Sequence, residues 1–181
     1  MTLYHTGPVE IREPDLSRGR KNADFGPGFY LSPDLDFSRR WAGPEAVVNE
    51  YELDESGLLI RRLTRNEEWF RCIFCNRRSL DTLSGDVIIG PIANDTLFDT
   101  LGMITSGFLP DKDALQLLMI GPEYTQAVIK TEKALRQLRW IRAEKAVRQS
   151  GDLRRAEQDA YAAAFAEAVQ RLLGDGSDAS E

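Results

Sequence analysis

The run Phe25-Gly26-Pro27-Gly28-Phe29-Tyr30-Leu31-Ser32 constrains this chain more than any other stretch. Two glycines flanking a proline force a tight turn, and the apolar residues after them read as a short strand. That order is wrong for a dinucleotide fingerprint, which follows a strand and opens a helix, and the spacing is not GxGxxG. A Rossmann reading therefore fails. Glycines let backbone approach a flat ligand closely, and Tyr30 just past them can stack on an aromatic ring. A glycine turn leading into an aromatic core strand needs the same residues, so on their own they leave both readings open.

Around this run the pattern alternates between element types. Leu3-Tyr4-His5 reads as a strand stopped by Gly7-Pro8, and residues 47–53 read as a half-buried strand that alternates apolar and polar from Val48 onward. Residues 58–60, 86–91 and 124–129 are further strands. Ser32-Pro33-Asp34 looks like a helix start, with Ser32 as the cap and Phe37, Trp41 and Ala42 on the apolar side. Residues 66–77 carry Trp69, Phe70, Ile73 and Phe74 at helical spacing, and 95–106 and 111–119 repeat the pattern. From 132 onward the chain reads as helix, broken once at 149–152, with a polar tail over 174–181. Short strands among irregularly placed helices predict an α+β fold. The second C-terminal helix has a stripe through Tyr161, Phe165, Ala168 and Leu172 that must pack on something: the domain itself, a second copy or another protein.

Composition narrows the function classes. The 181 residues suffice for one domain with a sizeable core plus a little extra. A net charge of -6 argues against a nucleic-acid coat or a membrane-surface binder, both of which lean basic. No apolar run reaches the length that spans a bilayer, and the first ten residues lack the features of a secretory signal, so a cytoplasmic protein is expected. Cys72 and Cys75 form a lone CxxC far in sequence from the one histidine; their spacing fits the buried side of a helix, and no metal is expected. Lys133, Arg136, Arg139, Arg142, Lys145 and Arg148 recur every third residue. On a helix they wind around the axis, which suits a solvated surface better than a face for an acidic protein or RNA.

His5 sits at a strand end beside a turn, where its ring faces either a cleft or the core. Taken with the glycine run some 25 residues later, the pair Tyr4-His5 and the segment Phe25-Gly-x-Gly-Phe-Tyr-Leu-Ser resemble the His-Tyr-Glu ADP-ribosyltransferase superfamily. More narrowly, the chain resembles the bacterial family DUF3990. The likeness is carried by Leu3-Tyr4-His5-Thr6-Gly7, residues 19–26, Trp41-Ala42, residues 48–51, Asn76-Arg77, residues 90–95 and residues 126–135, in order.

The resemblance implies an ADP-ribosyltransferase-like split, mostly antiparallel sheet core with flanking helices over residues 1–140; the pattern beyond it predicts a helical extension over 141–173 and a disordered tail over 174–181. NAD+ as substrate would lie between the sheet halves. His5 would bond the adenosine ribose, backbone at Thr6 or Gly7 would hold the nicotinamide carboxamide, and Tyr30 would stack on the nicotinamide ring. Phe25, Gly26 and Gly28 belong to the same NAD+-binding set. Arg20 and Lys21 read either as diphosphate partners or as solvated loop charges. At the glutamate position stands Gln126, which keeps a hydrogen bond but not the negative charge that stabilises the transition state; it reads as catalytic or as structural. Asn94 and Asp95 follow a Gly-Pro break, where Asp95 is either the missing carboxylate or a helix N-cap. Asp24 is a further carboxylate candidate.

The activity so implied is mono-ADP-ribosyl transfer by a toxin-like or phage-defence effector to a protein or nucleic-acid acceptor. NAD+ glycohydrolysis and a non-catalytic NAD+- or ADP-ribose-binding module are the alternatives. The C-terminal helices are the candidate surface for self-association or for an antitoxin or immunity partner.

Overall fold

A computed structural model of the chain describes residues 1–19, 21–40, 42–43, 45–80, 83–93, 111–146 and 151–174. It divides into two units, Met1–Ile92 with Glu123–Gln149, and Ala93–Pro122 with Ser150–Glu181. The first unit contains β1 (Thr2–Gly7), β2 (Phe29–Leu31), α1 (Leu35–Arg40), β3 (Val47–Leu53), β4 (Ile60–Arg62), α2 (Glu67–Asn76) and β5 (Val87–Pro91). In the second unit lies α3 (Asp111–Leu118); the chain then returns to the first for β6 (Thr125–Ile129), α4 (Glu132–Arg136) and β7 (Leu138–Lys145). A long helix of the second unit, α5 (Gly151–Gly174), follows and packs with α3.

Among the described residues, seven strands form two sheets in the first unit, ordered β1-β3-β7 and β2-β6-β5-β4. Every pairing is antiparallel except β4 with β5. The sheets are joined by one bridge, in which Tyr4 and Ser32 exchange two backbone hydrogen bonds of 2.8 Å. The expected α+β class holds.

Side-chain alternation decides where the core sits. Phe29 and Leu31 of β2, Val87 and Ile89 of β5, and Ala127 and Ile129 of β6 share one face of the second sheet. They pack in one cluster with Leu3, Tyr51, Leu53, Ala134 and Leu138. Each large aliphatic residue buried there contributes about 1.5–3 kcal/mol. Tyr30, Ile88, Gly90, Gln126 and Val128 point to the opposite face, where α2 and the 24–28 turn lie against them. Trp69 of α2 is fully buried and donates its indole N–H to the Pro91 carbonyl at 2.9 Å. Both faces of this sheet are therefore covered.

Most element types follow the sequence patterns. The alternation in residues 47–53 becomes β3, and Asn66 caps α2 by accepting from the Trp69 N–H at 2.9 Å. The helix after Ser32 begins at Leu35, with Asp34 accepting from Phe37 N–H at 3.0 Å. The Ser32 hydroxyl donates to the Thr125 carbonyl at 2.9 Å and accepts from the Asp34 N–H at 3.1 Å, ahead of the helix, and the cap falls two residues on, at Asp34. The strand expected over 58–60 starts at Ile60, where it can pair with β5.

One expectation is overturned. The residues from 132 onward do not form a continuous helix: α4 ends at Arg136, and Leu138–Lys145 are a strand. The helix-forming Leu, Arg, Ala, Glu and Lys side chains lose to a ladder along β3 that also seats Leu138 and Trp140 on the core, with Glu50 and Glu52 directly opposite Arg142 and Arg139. Both pairs form ion pairs, Arg142 to Glu50 at 2.7 Å, so these bases are cross-strand partners and not a helical surface.

In the second unit, Tyr161, Phe165, Ala168 and Leu172 are half-buried positions along one face of α5, as the stripe predicts. Residues 95–106, Trp41 and the tail after 174 lie outside the described residues. Among the described residues, no helix is long and apolar enough to cross a membrane.

Candidate functional site

The seam between the two sheets brings together residues far apart in sequence. His5, one residue beyond the Tyr4–Ser32 bridge, places Nδ1 2.7 Å from the Tyr30 carbonyl oxygen. A carbonyl only accepts, so Nδ1 carries the proton and Nε2 of the neutral ring is an acceptor. Burial lowers the His5 pKa below its ordinary value and so favours the neutral ring near pH 7, partly opposed by the bond to Tyr30. Phe29 packs beside the imidazole, with ring centroids 4.6 Å apart. On Gly7 a Cβ would stand 3.3 Å from Nε2, so glycine there keeps that edge of the ring clear. Thr6 turns its hydroxyl away, to the Ser38 carbonyl at 2.6 Å.

The 24–28 turn is held by its own tyrosine. Tyr30 donates its hydroxyl to the Gly26 carbonyl at 2.7 Å and accepts from the Phe25 N–H at 3.0 Å. Lys130 donates to the Phe25 carbonyl at 2.8 Å. Phe25 is fully buried. Gly28 has φ 154°, and a Cβ there would sit 2.5 Å from the Ile129 carbonyl oxygen. The close approach of the turn to β6 thus requires glycine. The ring of Tyr30 is half-buried beneath the turn.

Gln126 is buried, on the same face of the sheet as Tyr30, which pairs with Val128 two residues along β6. Its Nε2 donates to Asp24 Oδ2 at 2.9 Å. The other oxygen of Asp24 takes Arg77 Nε at 2.8 Å and its terminal nitrogen at 2.7 Å, with both side chains about 9% exposed. Asn76 adds a hydrogen bond to the Asp24 backbone carbonyl at 3.2 Å. The C-terminal end of α2 is thereby tied to the glycine turn and, through Asp24, to Gln126.

The predicted site residues thus fall into two groups. His5, Thr6 and Gly7 lie on β1 at the seam, where His5 meets the Tyr30 carbonyl; Phe25, Gly26 and Gly28 belong to the turn that holds the Tyr30 hydroxyl, and Gln126 reaches that turn through Asp24. Lys21 is exposed, while Arg20, Asn94 and Asp95 lie outside the described residues. Cys72 is buried on α2, Cys75 is half-buried, and neither forms a disulfide. Among the described residues, no group of three His, Cys, Asp or Glu side chains is placed to hold a metal ion.

Sequence reasoning assigned no role to Arg77, Asn76 or Lys130, nor to Asn49 and Tyr51. The last two explain the 48–51 pattern. Asn49 is fully buried, donates to the Val9 carbonyl at 3.0 Å and accepts from Ile11 N–H at 2.8 Å; the Tyr51 hydroxyl donates to the Ile11 carbonyl at 2.6 Å. They pin the segment leaving His5. An asparagine between the apolar residues Val48 and Tyr51 of this strand was the signal available for them.

Comparison with curated proteins and with solved structures returns no match. A family model described as DUF3990, a protein of unknown function, matches residues 1–140. The chain belongs to the DUF3990 family.

Proposed function

We propose that the seam binds NAD+ and that the first unit is an ADP-ribosyltransferase-like domain which transfers ADP-ribose to a protein or nucleic-acid acceptor. The observation that carries this reading is the junction of His5, Tyr30 and Gln126. His5 of β1 bonds the Tyr30 backbone carbonyl of β2 beside the Tyr4–Ser32 bridge, and the buried Gln126 of β6 lies on the same sheet face as the Tyr30 side chain. These are the positions at which the sequence resembles the His-Tyr-Glu enzymes.

In this account His5 accepts a hydrogen bond from the adenosine ribose at Nε2, and the half-buried Tyr30 ring supports the nicotinamide. The nicotinamide C1′–N bond breaks, its electron pair leaves with nicotinamide, and the ribose gains oxocarbenium character. A nucleophile on the acceptor then bonds to C1′ and gives up its proton. Gln126 offers a neutral hydrogen-bond acceptor where a glutamate would offer charge, so transition-state stabilisation is weaker than in a glutamate enzyme. Water as the nucleophile makes the activity glycohydrolysis. A toxin-like or defence role follows from the same resemblance.

One observation favours a second reading, a module that binds NAD+ without turnover. The carboxylate nearest Gln126 is that of Asp24, and it is paired with Arg77, which offsets its charge. Nicotinamide release from NAD+ by the full chain, with and without cell lysate and beside Tyr30→Ala, separates the readings. Lysate-dependent release lost in Tyr30→Ala supports transfer, whereas release without lysate supports glycohydrolysis or self-modification. Binding without release leaves the module, and no binding at all overturns the proposal.

A further inference from the structure

The amide of Gln126 has a donor end and an acceptor end, and its neighbour decides which end goes where. Asp24 Oδ2 lies 2.9 Å from Nε2. An ionised carboxylate accepts and does not donate, so only the NH2 end of the amide can face it. Asp24 cannot swing away, because Arg77 grips its other oxygen through two nitrogens at 2.7 and 2.8 Å. Among the described residues, Gln126 makes no side-chain hydrogen bond other than the one to Asp24. Its Oε1 is left to accept from a bound molecule.

The same three-residue segment also seats Tyr30. Phe25 N–H and Gly26 carbonyl hold the tyrosine hydroxyl, while the Asp24 carboxylate one residue earlier holds Gln126. We infer that Asp24 is a positioning residue: anchored by Arg77, it fixes Gln126 with Oε1 outward, so that the site selects a hydrogen-bond donor such as a ribose hydroxyl. This rests on the NAD+ reading above.

The hydrogen-bond polarity of the chain from Arg77 through Asp24 to Gln126 makes the inference testable by exchange. In Asp24→Asn, the side-chain oxygen still accepts from Arg77, but the amide NH2 now faces Gln126. Gln126 must then turn over, presenting its own NH2 outward, while the internal hydrogen bonds survive. In Gln126→Glu, two carboxylates meet across a hydrogen-bond distance and share a proton. In the double variant, the amide introduced at position 24 donates to the carboxylate introduced at position 126 and accepts from Arg77, so the conflict disappears. Among the described residues, the other polar or charged groups on this face are the Tyr30 hydroxyl from β2, Lys130 just after β6 and, on α2, the Asn76 amide and the Cys72 thiol; none of them differs between the variants.

Two readouts on the full chain decide the matter: NAD+ affinity by calorimetry, and urea stability between pH 5 and 8. Asp24→Asn is expected to stay folded and to lose roughly ten-fold in NAD+ affinity, the scale of one hydrogen bond. Gln126→Glu raises the carboxylate pKa of the folded pair above its unfolded value. The folded state then holds the extra proton, and stability falls as pH rises from about 5 through that raised pKa. The double variant should lose this slope. The inference is overturned if Gln126→Glu shows the wild-type pH profile, or if Asp24→Asn binds NAD+ as tightly as a binding-competent wild type. A wild type that does not bind NAD+ overturns the functional reading, and this inference with it; an unchanged Asp24→Asn beside a binding wild type sinks only the inference.

Discussion

Replacing Arg77 with methionine should cost about 3–5 kcal/mol of stability, the range for stripping one partner from a buried ion pair. Methionine keeps the unbranched stem and removes the charge and every donor. Arg77 meets Asp24 Oδ1 through Nε at 2.8 Å and through a terminal nitrogen at 2.7 Å, and each side chain is only about 9% exposed. At a separation of about 4 Å and an effective dielectric near 20, the attraction alone is about 4 kcal/mol. A domain of this kind has a net stability of roughly 5–15 kcal/mol, so the loss is a large share of it. Urea unfolding followed by tryptophan fluorescence measures it, since Trp69 is fully buried. Adding Asp24→Asn should return part of the loss, giving a coupling of about 1–3 kcal/mol in a double-mutant cycle. A loss below about 1 kcal/mol for Arg77→Met, or strict additivity in the cycle, would refute the reasoning.

Three further perturbations probe other parts of the account. Gly28→Ala should destabilise by about 1–3 kcal/mol in thermal unfolding, because the new Cβ meets the Ile129 carbonyl oxygen and Val128 Cγ2, each at 2.5 Å; an unchanged melting temperature would mean the turn is not seated on β6. Tyr51→Phe should cost about 1 kcal/mol and raise hydrogen exchange at residues 9–11, since its hydroxyl holds the Ile11 carbonyl; equal exchange in both proteins would contradict that role. The lowered pKa of His5 means that the unfolded state takes up a proton before the folded state does. Stability should therefore fall as pH drops through about 6.5 and level off below the folded pKa, a step that His5→Gln removes.

What was legible in the sequence is what neighbouring residues decide. Val47–Leu53 reads as a strand through Val48, Tyr51 and Leu53 among polar residues, and Glu67–Asn76 announces itself through Trp69, Phe70 and Ile73 at helical spacing with Asn66 as cap. The glycine turn was legible because its backbone geometry admits few alternatives. What failed depended on partners distant in the chain. Residues 138–145 are rich in helix formers, and they extend instead because they pair with β3, some 90 positions earlier, and pack Leu138 and Trp140 on the core. Tertiary pairing overrides a weak propensity there. The alternatives for Gln126 could not be resolved from its neighbours for the same reason. Its amide is oriented by Asp24, 102 positions away, and Asp24 by Arg77 at the end of α2. No local pattern marks such a pairing, although each of the three residues was in view.

The most direct test of the central claim uses the single histidine of the chain. Nitrogen-15 NMR of the imidazole reports His5 alone, with Nδ1 protonated toward Tyr30 and Nε2 bare. Titration with NAD+ should move the Nε2 resonance in a saturable way as the ribose hydroxyl donates to it, and Tyr30→Ala should weaken that response. An Nε2 resonance that stays in place at millimolar NAD+ would contradict an NAD+ site at the seam.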